Sequence, residues 1–168
     1  MTTETLPLPP VPSSADGPRR LPRPGTYTAG PGRCIVELTA RYGPFVTLRR
    51  RLTASDAVLT VPADADCCAL RLELTGGPLR RSVLVFESDR GEPSDDGARL
   101  VCPGELTLHG KPFPTGLPLR VVDCTAERLL VTGTTQVPYR HLRSATGFAP
   151  PRTFPADRLR LLVAAEFT

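Results

Sequence analysis

The chain has 168 residues, of which 20 are proline, 14 glycine, five cysteine, six phenylalanine and three tyrosine, with no tryptophan. Eight prolines fall within residues 1–32 and twelve are spread over the remaining 136. That division predicts a proline-rich arm ahead of one ordered domain, large enough to bury a core without disulfides or a structural metal.

The charge, 21 bases against 17 acids for a net +4, is scattered. Residues 1–32 set Arg19, Arg20 and Arg23 against Glu4 and Asp16. In the one dense cluster, Arg49-Arg50-Arg51, strand alternation sends neighbours to opposite faces, so they form no single stripe. With few aromatics to stack on bases, the composition argues against a nucleic-acid partner. No apolar run approaches the ~20 residues that span a bilayer, and Met1–Pro12 lacks the regions of a signal peptide. A cytoplasmic chain with no transmembrane segment is therefore expected. Cys34, Cys67, Cys68, Cys102 and Cys124 are odd in number and lack CxxC spacing. They read as buried thiols in a reducing compartment, with neither metal nor other cofactor expected.

Residues 1–24 carry Leu-Pro and Pro-Pro steps that sustain neither helix nor sheet ladder, and are assigned to a disordered arm. Pro9 and Pro12, at PxxP spacing, would suit a partner domain that reads polyproline. The ordered domain is placed at residues 25–168. From Gly25 onward the dominant period is two. Cys34, Val36, Leu38 and Ala40 alternate with Arg33, Glu37, Thr39 and Arg41. The pattern recurs at Cys68, Leu70, Leu72 and Leu74, at Leu106 and Leu108, and at Leu159, Leu161, Val163, Ala165 and Phe167. Further strand-like runs lie at Phe45–Leu52, Ala57–Val61, Ser82–Ser88, Ala98–Cys102, Leu117–Cys124 and Arg128–Val137. Turns separate them at Tyr42-Gly43-Pro44, Thr75-Gly76-Gly77-Pro78, an acidic loop Glu87–Gly97, and Gly110-Lys111-Pro112. Many short strands with no amphipathic helix and no fixed repeat predict an all-β barrel or sandwich.

The segment Gly104-Glu105-Leu106-Thr107-Leu108-His109-Gly110-Lys111-Pro112-Phe113-Pro114, followed by Leu117-Pro118-Leu119-Arg120-Val121-Val122, resembles the G-x-Leu-Thr-Leu-x-Gly-x-x-x-Pro hairpin of the YceI-like family. These are bacterial lipid- and polyisoprenoid-binding proteins with a lipocalin-like barrel. Two alternating strands joined at Gly110, with prolines near the strand margins, suit such a hairpin. Gly25-Thr26-Tyr27-Thr28 ahead of Cys34–Arg41 is similar to the family's opening. Leu84-Val85-Phe86-Glu87-Ser88 resembles its Phe-x-Ser strand, and Gln136-Val137-Pro138-Tyr139-Arg140 with Gly147-Phe148 resembles its late segment. One departure stands out. Thr75–Arg81 is a short turn where the family carries a helical excursion.

The resemblance implies an antiparallel lipocalin-like barrel of about eight or more strands. It also implies a non-catalytic binding or carrier protein for a lipid-like, polyisoprenoid ligand held in an apolar cavity. Alternation nominates Val36, Leu38, Leu70, Leu72, Leu74, Val83, Val85, Leu106, Leu108, Leu119, Val121, Leu161 and Val163 as its lining, and the concentrated cationic set Arg140, His141 and Arg143 is the candidate for a polar mouth. The competing expectation is an interaction protein whose barrel is closed and whose arm recruits a partner. An exposed strand edge would allow a homodimer. No catalytic constellation is expected: His109 has no acidic partner fixed by spacing, and no G-x-S-x-G, P-loop or dinucleotide fingerprint occurs.

Overall fold

The structure is a computed structural model that describes residues 21–30, 32–42, 44–63, 67–76, 79, 81–137, 139–140, 142 and 158–168. Within them the chain forms β1 (Gly25–Thr28), β2 (Cys34–Tyr42), β3 (Phe45–Val61), β4 (Cys68–Thr75), β5 (Leu84–Pro93), β6 (Arg99–Leu108), β7 (Lys111–Cys124), β8 (Leu129–Val137) and β9 (Arg158–Phe167). They hydrogen-bond in the order β1-β3-β2-β9-β8-β7-β6-β5-β4, every pair antiparallel. A further pairing of β3 with β4 closes eight strands into a barrel, with β1 added on the edge of β3. This is the all-β antiparallel barrel expected from the period-two runs.

Closure depends on β3. Its first half pairs with β2 up to Val36↔Leu52, and its second half pairs with β4 from Thr53↔Thr75 to Thr60↔Ala69. A register shift between Ala54 and Asp56 bends the strand where it changes partner, as a bulge does by adding one residue to one side of a ladder. Phe45–Leu52 and Ala57–Val61, expected as two strands, are therefore one of 17 residues. The expected acidic loop at Glu87–Gly97 is also shorter, because β5 runs on to Pro93 past a register break between Glu87 and Glu92. Likewise β6 continues through Pro103 and joins the runs expected separately at Ala98–Cys102 and at Leu106 and Leu108.

The prolines of the β6–β7 hairpin lie inside strands rather than at their margins. Val121 N–H donates to Ala98 O on the β6 side, so the even-numbered nitrogens of β7 face β8. Pro112, Pro114 and Pro118 thus fall on the one edge where no donor is used, since the ladder to β8 starts only at Leu119↔Gly133. The hairpin turns through His109 and Gly110, both at positive φ (52° and 70°), the pair of left-handed residues that a two-residue turn matched to strand twist requires.

The inward rows converge on one aliphatic core that takes buried side chains from β2 through β9. One end is covered by Leu79 and Leu142, both fully buried, from the β4–β5 and β8–β9 connections. At the other end the chain packs from Leu21 onward. Pro22 is buried, Arg23 N–H donates to Ala126 O at 2.9 Å, and the Tyr27 hydroxyl donates to Arg23 O at 2.8 Å.

Strands β5 and β6 approach so closely at Glu87↔Glu105 that a Cβ on Gly104 would overlap the Glu87 carbonyl oxygen and press on the Phe86 ring. Gly104→Ala is expected to lower stability by about 2–3 kcal/mol in urea unfolding, the cost of forced overpacking. Gly116→Ala, whose nearest neighbouring atom would lie 4.0 Å away, is expected to change it by less than about 0.5 kcal/mol.

Candidate functional site: the aliphatic lumen

The barrel wall is built from residues that alternation throws inward. Of the nominated lining, Val36 and Leu38 (β2), Leu70, Leu72 and Leu74 (β4), Leu106 and Leu108 (β6), Leu119 (β7), and Leu161 and Val163 (β9) are buried in the common core. Val121 is half-buried against it, next to a register shift between Val121 and Asp123. Two nominations sit on the wrong parity. Val83 precedes β5 and is 38% exposed, and Val85 is only half-buried, whereas Leu84, Phe86 and Ser88 carry the buried row of that strand. The charged Glu87 shares parity with Val83 and Val85 and must face water, which settles the direction. Alternation alone also passed over lumen residues on β3 and β8, among them Leu52, Leu59, Leu129 and Val131.

Two polar side chains are buried among the described residues, and both repair breaks in the wall. Ser88 Oγ donates to Pro103 O at 2.6 Å beside the β5–β6 register break. Thr135 Oγ1 donates to Gly116 O at 2.7 Å and pairs with Thr115 Oγ1 at 3.0 Å, where β7 has no ladder to β8. No buried side-chain nitrogen or oxygen among the described residues lacks a hydrogen-bond partner. The lumen wall is consequently apolar in effect: its few polar atoms are spent on backbone.

Cys68 and Cys102 are fully buried and meet over Gly91, whose missing Cβ would lie 2.8 Å from the Cys68 sulfur and 3.0 Å from that of Cys102. Burial pushes both thiols up to about 12, helped for Cys68 by neighbouring Cys67 and for Cys102 by Cys68. Burial raises Cys34 as well. Thiols held protonated in this way are inert hydrophobes rather than nucleophiles or ready metal ligands. No cluster of three or more His, Cys, Asp or Glu suited to a metal occurs among the described residues.

Of the nominated mouth, Arg140 is exposed on a short helical turn, while His141 and Arg143 lie outside the described residues. The same turn directs Leu142 into the core and half-buries Tyr139 against it. Arg50 pairs in register with Leu38 on the inward-facing row and is nevertheless exposed, its Nη1 donating to Arg49 O at 3.0 Å. His109 Nε2 lies 2.5 Å from Ser82 Oγ, an exposed contact that ties the hairpin turn to the β4–β5 connection.

A concavity of about 760 Å³ lies on the outside of the barrel across β3–β6. It is open, and apolar and polar groups share its lining, among them Val58, Ala69, Leu70, Arg71, Glu87 and Glu105. Arg71 there binds Asp56, Glu73 and Glu87 on three different strands, a web of exposed ion pairs across the strands.

Fold and site together define a closed antiparallel β-barrel with an aliphatic interior. No family model matches the chain, and no curated protein matches it. Among solved structures the chain is similar to a polyisoprenoid-binding domain from Saccharophagus degradans implicated in plant cell wall breakdown. The two share 9% identity over 84% of this chain and 97% of that one, at a TM-score of 0.43. Among the described residues no helix is long and apolar enough to cross a membrane.

Two outcomes follow from this wall. The raised thiols are protonated when folded but ionise near 9 when unfolded, so the unfolded state gains stability as pH rises through 9 towards 12. Unfolding free energy should therefore fall above pH 9, by up to about 1.4 kcal/mol per pH unit for each thiol. Urea titrations at pH 8 and pH 10.5 check this, and Cys68→Ala/Cys102→Ala should flatten the dependence. Thr135→Val removes the donor to Gly116 O and should cost about 1–2 kcal/mol in the same assay at neutral pH.

Proposed function

We propose that this chain is a divergent YceI-like protein that binds a lipid-like molecule, of polyisoprenoid type, in the barrel lumen without catalysing a reaction. The observation that carries the reading is the chemistry of the wall. It is one cluster of buried Leu, Val, Ala, Phe and protonated Cys side chains, with Ser88 and Thr135 both turned to backbone partners. Such a wall offers an elongated hydrocarbon burial at roughly 25 cal/mol per Å² and offers a polar ligand nothing. The G-x-Leu-Thr-Leu-x-Gly hairpin at Gly104–Gly110 supports the family assignment. Val36, Leu38, Leu72, Leu106, Leu161 and Val163 are the first residues we assign to contact with the ligand, and Arg140 to a place near its polar end.

A second reading, an interaction protein with a filled barrel, has its own support. Leu79 and Leu142 insert from the connections, and Phe86 and Phe167 are the largest fully buried side chains. One substitution separates the two readings. Ala165 is buried on β9, and Ala165→Leu adds volume to the lumen. In a barrel that holds a ligand, the variant should keep its stability within about 1 kcal/mol and lose uptake of an added prenyl alcohol in native mass spectrometry. In a filled barrel, overpacking should cost about 1–3 kcal/mol. Recovery of ligand-free protein alone, with no prenyl uptake by the wild type, would sink the carrier reading.

A further inference from the structure

The β2–β3 hairpin carries an apolar tip that the barrel does not use. Tyr42 and Phe45 face each other in register and are 53% and 70% exposed, and Val46, opposite Arg41, is 49% exposed. Pro44 is exposed between them, and Arg41 Nη2 donates to its carbonyl oxygen at 2.9 Å, fixing the tip's shape. The hairpin extends past the end of β4, since β3 pairs with β4 only from Thr53 onward. Among the described residues no strand pairs with its first half on that side.

Behind the tip the outer rows of three strands bring arginines together. Thr39 on β2 lies between Arg49 on β3 and Arg160 on β9, and the next outward position, Glu37, lies opposite Arg51. Arg41, Arg49, Arg51 and Arg160 therefore share one face. Glu37 is the acid among them, held by Arg49 at 3.0 Å. The other acid on the described outer rows here, Glu166, is at the opposite end, beside Arg33 and Arg128 at 3.9 Å and 3.5 Å. Asp56, further along β3, is engaged by Arg71. An exposed aromatic and aliphatic tip backed by a cationic face is the complement of an anionic bilayer. Tyr and Phe settle at the headgroup boundary, and guanidinium groups a few residues behind reach lipid phosphates and carboxylates.

We infer that the β2–β3 hairpin docks this protein on anionic lipid surfaces, inserting Tyr42, Phe45 and Val46 while Arg41, Arg49, Arg51 and Arg160 engage the headgroups. The docking does not require a ligand in the lumen, and its readout does not involve lipid uptake, so it stands or falls separately from the carrier reading.

The test is co-sedimentation of the full chain with phosphatidylcholine vesicles with and without about 30% phosphatidylserine, in about 0.1 M and about 0.5 M NaCl. Binding is expected with phosphatidylserine at low salt, and weakening by at least about tenfold in high salt or on pure phosphatidylcholine. Phe45→Ser/Val46→Ser should weaken it by about tenfold or more through lost insertion. Arg49→Gln/Arg51→Gln/Arg160→Gln should weaken it by about a hundredfold at low salt. Arg90→Glu, at the opposite end of the barrel, should bind as wild type does. All of these positions are exposed, so thermal midpoints should stay near that of the wild type. Absence of wild-type binding at low salt, wild-type binding by both hairpin variants, or tighter binding to a duplex DNA probe than to the vesicles would each overturn the assignment.

Discussion

Everything in this molecule depends on one strand serving two neighbours. A sheet that curls into a barrel must bring its last strand back to its first, and here the burden falls on the 17 residues of β3. Its first half belongs to β2 and its second to β4, and the Ala54/Asp56 bulge supplies the bend between them. Without that bend the inward rows would line one face of an open sheet, with Leu70, Leu72 and Leu74 at its edge instead of within a lumen. The tip's freedom from β4 has a plainer origin, because β4 ends at Thr75, opposite Thr53, and reaches no further along β3.

The period-two runs were legible because each leaves one face dry, and they place β2, β4 and β9 nearly to the residue. What escaped was continuity. Pro103 and the Gly/Ser/Asp cluster after Glu87 look like breaks in a linear sequence, yet a strand tolerates them where the missing donor or the register shift falls on an edge that another group satisfies. Such satisfaction is a property of neighbours. Ser88 answers Pro103, and Thr135 answers Gly116, across separations that no local pattern reveals.

Parity was the other difficulty. In Val83-Leu84-Val85-Phe86 every residue is apolar, so alternation has no contrast to work on, and Glu87 is the nearest position that assigns the faces. The arginine face was hidden for a related reason. Arg49 and Arg51 lie on one side of β3 as alternation requires, but Arg41 and Arg160 join them only through strand pairing. Local spacing divides the Arg49–Arg51 cluster, and the sheet then adds partners to each part.

The proline spacing in β7 also bears on how the molecule avoids its own kind. Where β7 and β8 do not form a ladder, a barrel would ordinarily present amides that a second chain could pair with, and intermolecular strand addition would begin there. At Pro112, Pro114 and Pro118 those amides do not exist, and the Gly116 carbonyl between them is already occupied by Thr135. Of the four amide positions on that edge only Gly116 keeps an N–H, so the incomplete stretch of wall is a poor template for strand addition.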